Sequence, residues 1–363
     1  MEDLKYLIAL NCVPMLGSAR IRSLMNYFGC ARNIFKAGED EIIKVPKIGP
    51  GHAGNILSID VHEISRNQIK TAEKLGAELI PFDHSDYPAA LKKLFSPPVI
   101  LYCLGKVDIL KTSGIAIVGS RRPSGYGREV TSYFAHAIAE SGQTIISGMA
   151  RGVDSISHKA ALKAGADTIA VLGCGLDIVY PPENQDLMQQ IIKQGAVVTE
   201  YPFSTPPDPC NFPRRNRIIS ALSRAVLVTE AGERSGALLT AEYAAAQKKM
   251  LFAVPSNINS RNAWGSNRLL RKGARAVTNP QEVLRDLALE AGPASMECKS
   301  PELPGKENTV YKSLSLNPQH IDDISSKTRL STSEALALLL SMELKGVVRQ
   351  YHGKQFAKIQ NAI

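Results

Sequence analysis

The spacing of hydrophobic residues changes along the chain and predicts three structural segments. From residue 115 to about 287, short apolar and β-branched runs alternate with stretches of helical spacing. This alternation is typical of a doubly wound parallel α/β sheet, which binds ligands outside the carboxyl ends of its strands. The predicted strands are 99–104, 115–118, 144–146, 168–172, 196–200, 225–230, 250–254 and 274–278.

The residues before this sheet have helical spacing and contain an internal repeat. The segment VPMLGSA at 13–19 returns 32 residues later as VPKIGPG at 45–51. Each copy has the form of a helix-hairpin-helix turn, which predicts a small helical, SAM-like domain at 1–80. Such paired turns bind DNA phosphates in other proteins, but residues 1–83 carry 10 Lys and Arg against 10 Asp and Glu and so have no net charge. A structural or subunit-contact role is therefore favoured slightly over DNA binding.

After the sheet domain, predicted at 81–288, the composition changes to a Pro, Gly and Ser-rich linker at 289–306. Three helical stretches and two short strands follow at 307–363, which is the outline of a winged helix. The predicted recognition helix carries Glu334 and Glu343 but no basic residue before Lys345. Such a surface is poorly suited to binding phosphates or base edges. A role in protein contacts is therefore at least as good an interpretation as DNA binding by a degenerate recognition helix.

The charge of the chain favours a polyanionic partner. The 363 residues have a formal net charge of +9 and a pI of about 9.2, and residues 205–275 carry 12 Lys and Arg against 4 Asp and Glu. The six cysteines are scattered without a C-x-x-C pair, so neither a metal site nor a disulfide framework is expected. The acidic amino terminus and the lack of a long apolar run predict a cytoplasmic protein without a membrane segment.

A glycine loop follows the first parallel strand and indicates a phosphate site. The strand ends at Gly119, and Ser120, Arg121 and Arg122 come before the next helix. Helix N–H groups and guanidinium groups can together hold an anion there. The loop matches neither the G-x-G-x-x-G pattern nor a phosphate loop of nucleotide hydrolases, so no dinucleotide or nucleoside triphosphate cofactor is implied. The competing interpretation is that the glycines serve only close packing.

Other candidate ligands for the anion follow later strands. Arg214, Arg215, Asn216 and Arg217 open a predicted helix, and Phe212 before them is either a base-stacking ring or a core residue. Ser235 and Gly236 begin another helix, and Arg261 lies in the loop after the strand at 250–254.

Signals for catalysis are weak. Neither a G-x-S-x-G nor an H-E-x-x-H motif is present, and Asp154 and His158 have the spacing of a local hydrogen bond. We therefore expect no catalytic residues, no metal and no enzyme. The alternative from another class is a nucleotide-processing enzyme of the phosphoribohydrolase type, in which Glu230 would act at a phosphosugar.

Six motifs give the chain its resemblance to a known family. They are YPAALKKLFSPPVILYCLG, GIAIVGSRRPSGYG, SGMARGVDSISHKAAL, GCGLDIVYPPEN, FPRRNRIISALS and EAGERSGALLTAEYAA. Together they resemble the DNA processing protein A family, DprA, also called Smf, from residue 85 to about 287.

The resemblance implies an extended Rossmann-like domain that binds single-stranded DNA without sequence preference. It also implies a homodimer that protects incoming strands in natural transformation and helps to load the recombinase RecA. By the same resemblance, the residues expected to hold backbone phosphates are Arg121, Ser147, Gly148, Arg214, Asn216 and Arg217, with Phe212 as a base-stacking residue.

Overall fold

The computed structural model describes residues 2–289, 303, 305–315 and 318–358. The chain forms two compact units, Met1–Glu290 and Ala291–Ile363, and each has a hydrophobic core of its own. Most of the linker predicted at 289–306 lies outside the described residues, so its extent stays a prediction. No helix among the described residues is long and apolar enough to cross a membrane.

The first unit begins with six helices that contain both predicted hairpins. They are α1 (Glu2–Cys12), α2 (Ser18–Phe28), α3 (Ala31–Ile34), α4 (Glu39–Ile42), α5 (Pro50–Leu57) and α6 (Val61–Leu75). Met15 and Lys47, at equivalent places in the two turns, both have positive φ angles, of 65° and 66°. Arg20 donates hydrogen bonds to the carbonyl oxygens of both residues, at 3.2 and 3.1 Å. The sequence repeat is therefore a pair of adjacent turns.

The first hairpin packs onto the sheet that follows it. Ser18, the first residue of α2, donates a hydrogen bond of 3.2 Å to the buried carboxylate of Glu200. Asn11 donates to the Glu200 backbone oxygen at 3.2 Å. The amino end of α2, which could hold an anion, therefore faces a carboxylate of the same chain. This contact supports the structural interpretation of the first turn.

A nine-stranded sheet forms the centre of the first unit. Its strands are β1 (Glu78–Pro81), β2 (Ile100–Gly105), β3 (Gly114–Val118), β4 (Ile145–Ser147), β5 (Thr168–Val171), β6 (Ala196–Thr199), β7 (Ser223–Val228), β8 (Met250–Ala253) and β9 (Arg275–Ala276). The spatial order is β1-β2-β6-β5-β4-β3-β7-β8-β9. The pairs from β6 to β9 are parallel, whereas β2 pairs antiparallel with both β6 and β1. The doubly wound α/β fold is confirmed, and β1 is an additional strand that the pattern did not predict.

Helices cover both faces of this sheet because the inner strands are apolar throughout. All five residues of β3 are buried, as are all four of β5 and β6. The helices are α7 (Ala89–Lys92), α8 (Gly125–Glu140), α9 (Val153–Lys163), α10 (Gln185–Gln194), α11 (Asn211–Leu222), α12 (Ala237–Ala246), α13 (Trp264–Arg271) and α14 (Pro280–Asp286). The chain crosses from β6 to β7, which lies beside β3, so the carboxyl ends of β3 and β7 form the topological switch point.

The second unit has the winged-helix form predicted for it. Its elements are α15 (Gly305–Ser313), β10 (Gln319–His320), α16 (Ile321–Thr328), α17 (Thr332–Leu344), β11 (Val348–Tyr351) and β12 (Gln355–Lys358). Ser331 and Glu334 form a capping box at the start of α17. Leu340 and Leu344 are exposed on this helix together with Thr332, Ser333 and Glu334, and the helix carries no basic residue.

Candidate functional site

A cavity of about 650 Å³ opens at the switch point between β3 and β7. The loop after β3, the loop after β7 and the first half of α11 form its walls, as expected for the carboxyl edge of a doubly wound sheet. The predicted site residues that line it are Gly119, Ser120, Arg121, Arg122, Phe212, Arg215, Asn216, Ser235 and Gly236. We call this the switch-point cavity.

The backbone of the loop after β3 is held at both ends. The amide of Ser120 donates to the backbone oxygen of Glu230 at 2.7 Å, which joins this loop to the one after β7. Ser124 caps α8 by accepting a hydrogen bond of 3.0 Å from the amide of Gly127. Arg121 and Arg122 lie between these fixed points with exposed side chains. Two guanidinium groups are therefore presented to the cavity on a fixed backbone.

Glu230 holds this loop from beneath. Its carboxylate accepts a hydrogen bond of 2.9 Å from the amide of Ser124 and a second, short one from the Ser124 hydroxyl. The side chain is fully buried and does not line the cavity. A carboxylate placed in this way stabilises the loop and is out of reach of a bound phosphosugar, so the phosphoribohydrolase alternative is not favoured.

Arg215 forms the floor of the cavity and is only 4% exposed. Its Nη1 donates to the backbone oxygen of Gly148 at 2.8 Å and, through a short hydrogen bond, to that of Val171. The guanidinium lies flat on Gly148, where a β-carbon would come within 2.6 Å of its Cζ. Burial lowers the pKa of Arg215, while the nearby Asp154 carboxylate opposes that shift.

Asp154 accepts hydrogen bonds from the amides of Gly148 and Ala150, at 3.2 and 3.4 Å. Burial raises the pKa of its carboxyl, and Arg215 is the largest opposing influence. His158, one turn later, contacts Thr168 instead, with 2.7 Å between Nδ1 and Oγ1, and burial lowers its pKa to about 3. Asp154 and His158 thus serve separate local hydrogen bonds, and the two are not a catalytic pair.

Phe212 lies at the mouth of the cavity and is half-buried. The guanidinium carbons of Arg121 and Arg215 are 5.4 and 5.9 Å from its ring centroid. The ring of Tyr180 lies 5.3 Å away, centroid to centroid, and is tilted by 34°. An aromatic surface therefore adjoins the arginines, which is the combination that single-stranded nucleic acids require.

Comparison with known proteins assigns the chain to a family. The family model described as DNA recombination-mediator protein A matches residues 78–288, and the DprA winged helix domain matches residues 294–354. The chain belongs to the DprA family. Protein Smf of a Synechocystis species is 30% identical over 97% of this chain and 98% of its own length. DprA of Bacillus subtilis is 38% identical over 58% of this chain and 72% of its own length.

Two solved DprA structures share the fold. The X-ray structure of DprA from Streptococcus pneumoniae has a TM-score of 0.68 and 31% identity, covering 79% of this chain and 98% of that one. DprA from Helicobacter pylori, described for its unique single-stranded DNA binding mode, has a TM-score of 0.54 and 34% identity, covering 58% of this chain and 95% of that one. The α/β fold and the winged helix of this DprA-family chain agree with these matches.

Several predicted site residues lie outside the switch-point cavity. Ser147 is fully buried, and its hydroxyl donates to the Ile117 oxygen at 2.7 Å. Arg217 is on the other side of α11 and pairs with Glu200. Arg121 and Arg217, which the resemblance implies both hold backbone phosphates, line different cavities. Arg214 and Arg261 are exposed nearby but do not line the cavity, and Gly148 lines a small recess beside it.

Tyr180 and Arg234 are among the side chains of this cavity that sequence reasoning missed. Tyr180 lies in the loop after β5, which was already placed at the correct edge of the sheet, and Arg234 directly precedes Ser235. An aromatic residue and an arginine in loops that converge on a phosphate site were the available signals. Among the described residues, no group of three or more His, Cys, Asp or Glu side chains could hold a metal ion.

Proposed function

We propose that this DprA-family protein binds single-stranded DNA without sequence preference through the switch-point cavity. The observation that carries this proposal is the lining of the cavity. Among the described residues it contains three exposed arginines, Arg121, Arg122 and Arg234, together with the buried Arg215. Its one carboxylate among those residues, Asp154, already accepts hydrogen bonds from two amides. Guanidinium groups bind backbone phosphates, and the adjacent rings of Phe212 and Tyr180 offer stacking surface for unpaired bases.

The proposed role is that of a recombination mediator with no catalytic activity. The family description names this role, and the carboxylates beside the cavity are occupied with structural hydrogen bonds. In this role the protein would act as a homodimer in the cytoplasm, protect DNA strands taken up in natural transformation and help to load RecA onto them. These finer features rest on membership of the family.

Replacing Arg121 by Ala tests the binding mode. We expect the affinity for oligonucleotides of different sequence to fall by a similar factor, about tenfold, because phosphate contacts carry no sequence information. The slope of log affinity against log salt should become shallower by about 0.7, since one fewer counterion is released from single-stranded DNA. Fluorescence anisotropy titrations at several salt concentrations measure both quantities.

Arg66→Ala is the matched control because it removes one exposed guanidinium from α6, which contributes no residue to the lining of the cavity. This variant should bind DNA as the unchanged protein does. If Arg121→Ala weakens binding to some sequences and spares others, the strand is read through its bases and the proposed mode fails.

A further inference from the structure

A second, larger cavity lies at the opposite edge of the same sheet. It has a volume of about 1070 Å³. Ser113, Leu222 and Lys249 line it, and each directly precedes one of the parallel strands β3, β7 and β8. The cavity therefore belongs to the amino edge of the sheet, whereas the switch-point cavity belongs to the carboxyl edge. We call it the lysine cavity.

The charge of this lining is entirely positive. Its cationic residues are Lys93, Lys111, Arg217, Lys248 and Lys249, and among the described residues its lining contains no Asp or Glu. Three of the five have structural partners: Lys111 pairs with Asp86, Arg217 pairs with Glu200, and Lys249 donates to the backbone oxygens of Ala221 and Ser223. In the described part of the chain, Lys93 and Lys248 have no carboxylate partner and are exposed.

Two of these lysines, Lys93 and Lys249, are close enough to repel each other. Burial lowers the pKa of Lys249, and the nearby charge of Lys93 lowers it further. Like charges gathered in one concavity raise the local concentration of anions and are stabilised when an anion binds. This arrangement indicates an anionic ligand.

An exposed aromatic side chain adjoins these lysines. Phe95 lines the cavity and is 97% exposed, more than any other large hydrophobic residue among those described. An exposed phenylalanine and the neighbouring lysines together provide the two components of a single-strand binding site, a surface for base stacking and a cationic groove.

The two cavities are joined by a pair of packed helices. Arg215 and Ile219 of α11 face the switch-point cavity, whereas Arg217 and Ala221 face the lysine cavity. Likewise α12 contributes its beginning to the first cavity and its end to the second. A ten-residue helix is about 15 Å long, so a strand of a few nucleotides bridges the distance.

From these observations we propose that the lysine cavity is a second contact for the same DNA strand. Lys93 and Lys248 would hold backbone phosphates, and Phe95 would stack on a base. The inference rests on the proposed function, because it extends the path of the strand that occupies the switch-point cavity. It predicts that affinity depends on DNA length.

The test compares oligothymidylates of about 5 and about 20 nucleotides, near and beyond the limits of known single-strand sites. The double variant Lys93→Ala with Lys248→Ala should lose about tenfold in affinity for the long strand, with a salt slope shallower by about 1.4. Phe95→Ala should also lose about tenfold for the long strand. Both variants should bind the short strand as the unchanged protein does.

The control removes two other exposed charges, Lys70→Ala with Lys74→Ala on α6, and should change neither affinity. If the Lys93 and Lys248 variant binds the long strand as the unchanged protein does, the inference is wrong. An acidic protein is then the ligand to test. The proposed function is judged separately by Arg121→Ala, which should weaken binding of both lengths. If Arg121→Ala affects neither length, the proposed function fails as well.

Discussion

Replacing Arg215 by Met should lower the free energy of unfolding by about 3–5 kcal/mol. The substitution keeps most of the side-chain volume but removes the donors to the Gly148 and Val171 oxygens. It also leaves the buried carboxyl of Asp154 without the cation that most opposes its pKa rise. Each loss involves a buried polar group, and such groups are costly when left unpaired. Urea unfolding followed by circular dichroism measures the change.

The destabilisation by Arg215→Met should depend on pH. Burial already raises the pKa of Asp154 in the folded protein, and loss of Arg215 raises it further. A carboxyl with a raised folded-state pKa binds a proton on folding, so its contribution to stability falls as the pH rises through that range. The variant should therefore be more destabilised at about pH 8 than at about pH 5.

Arg214→Met on the same helix is the control. Arg214 is exposed and neighbours Arg215 in sequence, so its replacement should change the unfolding free energy by less than about 0.5 kcal/mol. Equal stabilities of the two variants at both pH values would show that the Arg215 guanidinium does not support the floor of the cavity.

The contrast between Arg215 and Arg217 shows what the sequence could predict. The run FPRRNR was correctly placed at the start of a helix, here α11 (Asn211–Leu222). Residues two apart on a helix point to different sides, so the two arginines cannot share one surface. Which side each arginine faces depends on tertiary contacts, such as the pairing of Arg217 with Glu200, which directly follows β6. Helical spacing thus separates the arginines, and only tertiary structure assigns them to cavities.

The strand pattern was predictable for a related reason. The inner strands are buried on both faces, so their apolar runs are continuous and easily recognised. The short edge strand β1 (Glu78–Pro81) ends in proline and is only partly buried, which leaves little pattern to detect. The side chains of the cavity come from loops, where periodicity gives no information on direction. The positions of the loops at the edge of the sheet were therefore predicted better than the roles of individual residues such as Ser147 and Tyr180.

Replacing Gly152 by Ala should displace the arginine loop and lower both stability and DNA affinity. Gly152 has φ 76° and ψ −125°, a conformation that residues with a β-carbon rarely adopt. A β-carbon there would overlap the Ser120 oxygen and lie 2.7 Å from Cδ of Pro123. We expect a loss of about 2–4 kcal/mol from backbone strain and overpacking together. The loop that carries Arg121 must move, so affinity for single-stranded DNA should fall at least about tenfold.

Gly165→Ala separates the effect of backbone strain from that of overpacking. Gly165 also has a positive φ, of 73°, but no atom lies within 4 Å of the place where its β-carbon would be. This variant should lose only about 1–2 kcal/mol, the cost of the left-handed backbone conformation, and bind DNA normally. Thermal unfolding and anisotropy titrations on both variants give the comparison. If Gly152→Ala is destabilised but binds DNA with undiminished affinity, the position of the loop after β3 does not control binding, and the strand must be held elsewhere.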